Sequence, residues 1–205
     1  DDYDVVFTAG GASQTFALIP LNFATESHPG SYALSGSFSQ KAYEEAVKLG
    51  VGTVAASTKE GGYVRVPTQE EMRIAPSAAY LHICLNNTIY GTELREDICS
   101  PIPLVADMSS DIMSRPVDVS KYALIYGGAQ KNVGPAGVTF VIVKESILEQ
   151  VASRPIPTML KYSTHVEKGS MFNTPPCFAI YTMRETLKWL KSIGGLTAIE
   201  KINRE

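Results

Sequence analysis

The sequence predicts an α/β fold, a mostly parallel mixed β-sheet flanked by helices. Three observations predict it: short runs rich in β-branched residues recur along the chain, several are apolar almost throughout, and helical patterns separate many of them. A run without polar alternation is what a strand buried on both faces requires, and a sheet covered on both faces by helices is largely parallel.

Taken in order, strand-like segments cover residues 4–8, 51–57, 80–85, 102–107, 123–127 and 138–144. Residues 14–19 are apolar and read as a helix after the turn Gly10-Gly11-Ala12-Ser13. Residues 40–49 place Tyr43, Ala46 and Val47 on one helical face and stop at Gly50, a residue suited to a left-handed C-cap. Residues 68–73 predict a short helix with Glu70 and Glu71 in its first turn. After Pro175-Pro176 a longer helix carries the stripe Ile180, Met183, Leu187 and Leu190 until Gly194-Gly195 ends it, and residues 196–202 are helical again. Trp189 lies on that longer helix and reads as packing.

With 205 residues, 44% hydrophobic and 19% charged, residues 1–205 are expected to bury one core and form a single domain. A net charge of -3 leaves no basic surplus, which excludes the phosphate backbone of a nucleic acid as a partner. Residues 138–143, the longest apolar stretch, are too few to span a bilayer, and Asp1-Asp2-Tyr3-Asp4 is acidic where a signal peptide is basic. A cytoplasmic location without membrane contact is expected. Cys84, Cys99 and Cys177 are odd in number, lack C-x-x-C spacing, and read as reduced thiols. Both ends look cut: the chain opens in a strand pattern and closes in a helical one with no capping glycine or proline, as a fragment or a frayed helix would.

In open α/β sheets, ligands gather beyond the carboxyl ends of the strands. The loops there read Gly10-Gly11-Ala12-Ser13, Asn86-Asn87-Thr88, Asp107-Met108-Ser109-Ser110 and Gly127-Gly128-Ala129-Gln130-Lys131-Asn132. The first would point free backbone N–H groups at an anion, or be a plain turn; it matches neither nucleotide-phosphate fingerprint. Asp107 closes a buried run, and a carboxylate there needs a cationic or hydrogen-bonding partner. A helix N-cap and a metal ligand are its alternatives, though no second carboxylate or histidine lies nearby in sequence to complete a metal site. Lys131 sits in a glycine-rich turn after another strand, and lysine is costly to bury unless its pKa is lowered or it is covalently engaged, which Schiff-base chemistry uses. A solvated loop lysine is the plain reading, and the pairing with Asp107 at neighbouring strand exits favours the chemical one. His28, His82 and His165 show no metal or triad spacing: His82 falls in a strand pattern and reads as core, while His165 is a candidate to approach the site through its closeness to Asn173.

Four blocks, in order, carry a resemblance. They are Val105-Ala106-Asp107-Met108-Ser109-Ser110, Pro116-Val117-Asp118-Val119-Ser120-Lys121, Gly128-Ala129-Gln130-Lys131-Asn132-Val133-Gly134-Pro135-Ala136-Gly137-Val138-Thr139, and Lys168-Gly169-Ser170-Met171-Phe172-Asn173-Thr174-Pro175-Pro176. Together they resemble the phosphoserine aminotransferases, class V pyridoxal-phosphate (PLP) enzymes of fold type I. The likeness runs from about Tyr3 to the last residue and covers the central part of that family's chain.

The resemblance implies that these residues are the PLP-binding large domain, without an N-terminal segment and a C-terminal small domain. It implies that Lys131 holds PLP as a Schiff base and moves the proton between Cα and C4′, and that Asp107 pairs with the pyridine nitrogen. Thr88 would bond the ring hydroxyl, and Ala12, Ser13 and Gln130 the cofactor phosphate. Asn173 and Thr174 would reach the phosphate of the neighbouring subunit's cofactor, so a homodimer with shared sites is implied, and no metal. The sequence departs from the family in three places: Phe38 stands where a tryptophan usually stacks on the ring, Ser13 where some members have arginine, and Asn86-Asn87-Thr88 where Asn-Glu-Thr is commoner. The implied reaction moves an amino group from glutamate to 3-phosphohydroxypyruvate, giving phosphoserine and 2-oxoglutarate in serine biosynthesis. The resemblance implies that the basic groups that grip the substrate come mainly from segments outside these 205 residues, which are therefore expected not to turn substrate over. The alternatives are another class V enzyme such as an alanine-glyoxylate aminotransferase, a fragment that only binds cofactor and dimerises, and, more distantly, a nucleotide-binding α/β domain.

Overall fold

The computed structural model describes residues 2–150 and 154–205. Its strands are β1 (Tyr3–Ala9), β2 (Gly30–Leu34), β3 (Gly52–Ser57), β4 (Tyr80–Cys84), β5 (Asn86–Asn87), β6 (Thr92–Glu93), β7 (Leu104–Asp107), β8 (Leu124–Gly128) and β9 (Val138–Lys144). The helices are α1 (Ala12–Phe23), α2 (Ser37–Lys48), α3 (Glu145–Leu148), α4 (Tyr162–Glu167), α5 (Cys177–Ser192) and α6 (Gly195–Arg204). Seven strands form one sheet in the order β1-β9-β8-β7-β4-β2-β3, and β5 and β6 pair as a separate ribbon. All neighbours from β8 through β7, β4 and β2 to β3 are parallel, whereas β9 is antiparallel to both β8 and β1. The sheet is therefore mixed but mostly parallel, as the sequence predicts. Every residue of β2, β4, β7 and β8 is buried, which is why these runs carry no polar alternation.

Two apolar clusters cover the two faces. One gathers Phe16 and Ile19 of α1 and Ala42 and Ala46 of α2 with Tyr32, Tyr80 and Tyr126 of the sheet. The other joins Leu81, Ile83, Ile125 and Phe140 to Ala179 and Met183 of α5. Because β1, β4, β7 and β8 run the same way, their carboxyl ends and the four polar loops that follow lie along one end of the sheet.

Several expectations need correction. Strand β2 carries no strand signal in sequence, because Gly30-Ser31-Tyr32-Ala33-Leu34 has no β-branched residue and begins with glycine. Crowding explains the glycine: a Cβ on Gly30 would lie 2.4 Å from the Tyr80 hydroxyl. Helix α1 runs beyond residues 14–19 at both ends, and α2 starts at Ser37 rather than residue 40. Gly50 takes the left-handed conformation expected of it, with φ of 72°.

Residues 68–73 form only a single 3-10 turn at Gln69–Glu71. There the Glu71 carboxylate accepts from the Thr68 N–H at 2.9 Å while Arg65 grips it through both terminal nitrogens, and Met72 leaves in extended conformation. Helix α5 buries Met183 and Leu190 and packs Ile180 and Leu187 against the core, and Gly194 and Gly195 end it at positive φ. Trp189 does not pack as expected, since it is 54% exposed. Cys84 is buried, and Cys99 and Cys177 are exposed free thiols. Among the described residues no helix is long and apolar enough to cross a membrane.

The approach of Gly30 to Tyr80 yields a stability test. Gly30→Ala is expected to destabilise the protein by about 1–3 kcal/mol, the range for an overpacked core, read as a lower urea midpoint. The Tyr80 ring cannot swing aside without breaking its 2.6 Å hydroxyl contact with Tyr32.

Candidate functional site

Asp107 is the last residue of β7 and is 5% exposed. Its Oδ1 accepts from the Ser109 N–H at 2.9 Å and from the Ser109 hydroxyl at 2.7 Å. The same hydroxyl oxygen accepts from the Gly128 N–H at 3.1 Å, tying the loop after β7 to the end of β8. Burial pushes the Asp107 carboxyl above the usual carboxylate range, opposed by the hydrogen bonds from Ser109 and, more weakly, by the charge of Lys131.

Lys131 follows β8 in a turn held by its backbone. The Val133 and Gly134 N–H groups donate to the Ala129 carbonyl at 3.2 and 2.7 Å, and the Ala129 N–H donates to Val138 at 3.1 Å. The Asn132 amide donates to the carbonyls of Ser110 and Ile112 at 3.1 and 2.9 Å, which locks this turn onto the Asp107 loop. Lys131 itself is exposed.

The third component is the start of α1. Gly10 takes φ of 109°, open to glycine at little cost, and its N–H donates to Gly137 at 3.1 Å. That pins the turn beside the Lys131 loop. Beyond it Gly11 caps the helix, and the first N–H groups of an α-helix have no partner within it. Phe38, in the first turn of α2, is held because the Ser39 hydroxyl oxygen accepts from the Ser35 and Gly36 N–H groups at 2.9 and 3.1 Å. The Lys41 ammonium lies 5.7 Å from the centre of the Phe38 ring.

These parts meet in one cleft of about 360 Å³. Seven of the nine predicted site residues line it together: Lys131, Asp107, Thr88, Gln130, Ala12, Ser13 and Phe38. Asn173 and Thr174 do not; they are exposed on the loop before α5. His165 does not line it either, because it is buried with Nε2 2.9 Å from the Met159 carbonyl oxygen. The cleft also takes in Cys84, Asn86, Ser109 and Ser110, to which the sequence alone attaches no role. For Ser109 a signal did exist, since a serine two residues after an aspartate can close a local side-chain turn onto it.

A cavity of similar volume lies near α6, but its charged groups are matched with one another. Arg115 pairs with Asp111 at 3.1 Å, Arg204 with Glu200 at 2.8 Å, and Arg95 with Glu93 at 2.9 Å. Among the described residues, only the Asp107 cleft combines a buried carboxylate, an accessible amine, a helix start and an aromatic ring.

The sequence profile described as aminotransferase class-V matches residues 1–205. The chain belongs to the class-V aminotransferases. Phosphoserine aminotransferase from Lysinibacillus sphaericus is 50% identical over 204 residues, covering 99% of this chain and 56% of that protein. Among solved structures, phosphoserine aminotransferase from Bacillus circulans subsp. alkalophilus superposes with a TM-score of 0.95 at 44% identity, over 99% of this chain and 56% of that one. PLP-bound phosphoserine aminotransferase from Trichomonas vaginalis gives a TM-score of 0.93 at 36% identity, over 99% and 61%. This class-V chain thus spans about half the length of the curated relatives it matches.

Because burial raises the Asp107 carboxyl, its protonated form is favoured by folding. That contribution to stability is present at low pH and is lost as pH rises through the raised value. Asp107→Asn keeps an acceptor for Ser109 and removes the charge, so its urea midpoint without added ligand is expected to exceed the wild-type value at neutral pH. The gap should narrow as pH falls; a gap that stays constant across the acid range would contradict a buried ionised carboxylate.

Proposed function

We propose that this chain is the PLP-binding part of a phosphoserine aminotransferase, which moves an amino group from glutamate to 3-phosphohydroxypyruvate and gives phosphoserine and 2-oxoglutarate. One observation carries the reading: Lys131 and Asp107 line the same cleft as the start of α1. The residues present suit the cofactor. A buried carboxylate that seeks a positive partner fits a protonated pyridine nitrogen, a helix start and polar side chains fit a phosphate, and an aromatic ring fits a flat one.

When bound, PLP supplies an electron-withdrawing ring for the chemistry at an amino-bearing carbon. In this reading Asp107 holds the proton on the ring nitrogen. Lys131 would hold the cofactor through its amine, and the same amine would move the proton at the reacting carbon. Thr88 donates to the ring hydroxyl, while Ala12 and Ser13, through the helix start and the serine hydroxyl, share the phosphate with Gln130. Phe38 would offer its ring to the flat cofactor without the indole N–H that a tryptophan would add.

The substrate assignment is supported by relatives about half identical over the whole chain. Asn173 and Thr174 are read as reaching the cofactor phosphate of a second copy in a homodimer. Exposed apolar side chains flank them, Met171 at 72%, Phe178 at 80% and Tyr181 at 56%, which suits a surface that a second subunit covers. We place the reaction in serine biosynthesis in the cytoplasm, and we expect turnover to need more of the protein than these 205 residues.

Borohydride reduction in the presence of PLP is expected to leave a mass shift on the peptide bearing Lys131 and none in Lys131→Ala. A shift on another lysine would overturn the assignment. In the longer protein 3-phosphohydroxypyruvate should outcompete glyoxylate as amino acceptor; preference for glyoxylate would favour the alanine-glyoxylate reading. Sedimentation velocity should find a dimer, and a monomer at micromolar concentration would remove the shared site.

A further inference from the structure

At the rim of the cleft, two elements remote in sequence have to keep a fixed spacing. Phe38 comes from the first turn of α2 and Thr88 from the tip of the β5–β6 ribbon, and both line the cleft that holds Asp107 and Lys131. Their supports differ in stiffness. Helix α2 buries Ser39, Ala42 and Ala46 almost completely and belongs to the core. The ribbon has two residues in each strand, pairing Asn86 with Glu93 and Asn87 with Thr92, and its tip is exposed, Ile89 at 60% and Tyr90 at 39%. A hairpin that short is at best marginally stable unaided, and Thr88 sits on its tip.

Two side-chain contacts tether the ribbon to α2, one on either side of Thr88 in the chain. Before it, the Asn87 amide donates to the Ser35 hydroxyl at 3.2 Å, both residues being buried. After it, the Tyr90 and Ser37 hydroxyls lie 3.1 Å apart. The Tyr90 and Gly91 N–H groups donate to the Asn87 carbonyl at 3.1 and 2.9 Å, so Thr88 lies within a closed turn fastened at both ends to residues just ahead of Phe38. Tyr90 is itself braced. Its ring lies 5.0 Å from that of Tyr63, whose hydroxyl donates to Gln40 Oε1 of α2 at 3.3 Å. Tyr63 is buried and takes φ of 60°, a conformation that is costly for a residue other than glycine and persists only where the surroundings fix it. An exposed turn tyrosine would ordinarily leave its hydroxyl to water; here the ring and the hydroxyl both engage the side of the cleft that α2 builds.

We propose, on the PLP reading above, that Tyr90 and Ser37 are positioning residues for the cofactor: their hydroxyl contact clamps the ribbon tip to α2 and so holds Thr88 at the ring hydroxyl, alongside Phe38. When the contact is broken the helix stays where the core puts it, and the loss falls on Thr88. The clamp therefore matters for a ring that carries the hydroxyl and not for one without it.

The test measures the affinity of the full-length apoprotein for PLP and for its 3-deoxy analogue, in which hydrogen replaces the ring hydroxyl, with circular dichroism as the folding control. Wild type should prefer PLP. Tyr90→Phe keeps the ring against Tyr63 and loses the hydroxyl; it should weaken PLP by about threefold to tenfold, the range for one neutral hydrogen bond, and leave the analogue unchanged. Ser37→Ala breaks the same contact from the helix side, should match that loss, and serves if Tyr90→Phe does not fold. The double variant should lose no more than either single one. Equal binding of both ligands by wild type, unchanged PLP affinity in a folded single variant, equal weakening of both ligands, or losses that add in the double variant overturns the clamp and leaves the PLP reading standing. A wild type that binds neither ligand, with no borohydride-stable adduct at Lys131, overturns both.

Discussion

A carboxylate buried at the mouth of a parallel sheet is the constraint around which this site is organised. Asp107 sits where water is scarce, and charge there persists only if donors converge on it. The Ser109 amide and hydroxyl do so from the exit loop, and the same hydroxyl binds the Gly128 N–H of the next strand. Asn132 then fastens the lysine-bearing turn to the carbonyls of the aspartate loop. The groups that answer the buried charge thus also set the spacing between the two strand exits that carry the chemistry.

Strand direction explains how residues so distant in sequence arrive together. Parallel strands deliver all their carboxyl ends to one edge, which collects the loops after β4, β7 and β8. The single reversed strand, β9, begins at that edge, and its leading turn accepts the Gly10 N–H through Gly137. Reversing β9 therefore brings the first loop of the chain, and the start of α1, up to the Lys131 turn. An all-parallel order would need a crossover at this point.

The departures from the family pattern are absorbed locally. Asn87, where glutamate is commoner, is buried, its amide donating to the Ser35 and Thr92 hydroxyls at 3.2 Å each. A Cβ on Gly36 would come within 2.4 Å of the Asn87 side-chain oxygen, so the asparagine fills its space against the loop leading into α2. Its position braces the helix that presents Phe38. Phe38, Lys131 and Asp107 line the same cleft.

The sequence by itself determined the α/β class, the fully buried strands, the ends of α2 and α5 at glycines, and the loops from which six of the seven predicted cleft residues come. These depend on hydrophobic pattern and on backbone freedom, which are local. Strand β2 was illegible because it has no β-branched residue and opens on Gly30, whose lack of a side chain answers the crowding of Tyr80. Residues 68–73 shrank to one turn because Arg65, outside that segment, captured Glu71. His82 had only a core signature, and its bond to Tyr126 exists because β4 and β8 lie on either side of β7. His165 drew attention through closeness in sequence to Asn173 and was turned inward by packing. Only the tertiary structure decided which polar groups share a cavity and which lie beneath it, since those contacts join residues whose separation along the chain carries no trace of their distance in space.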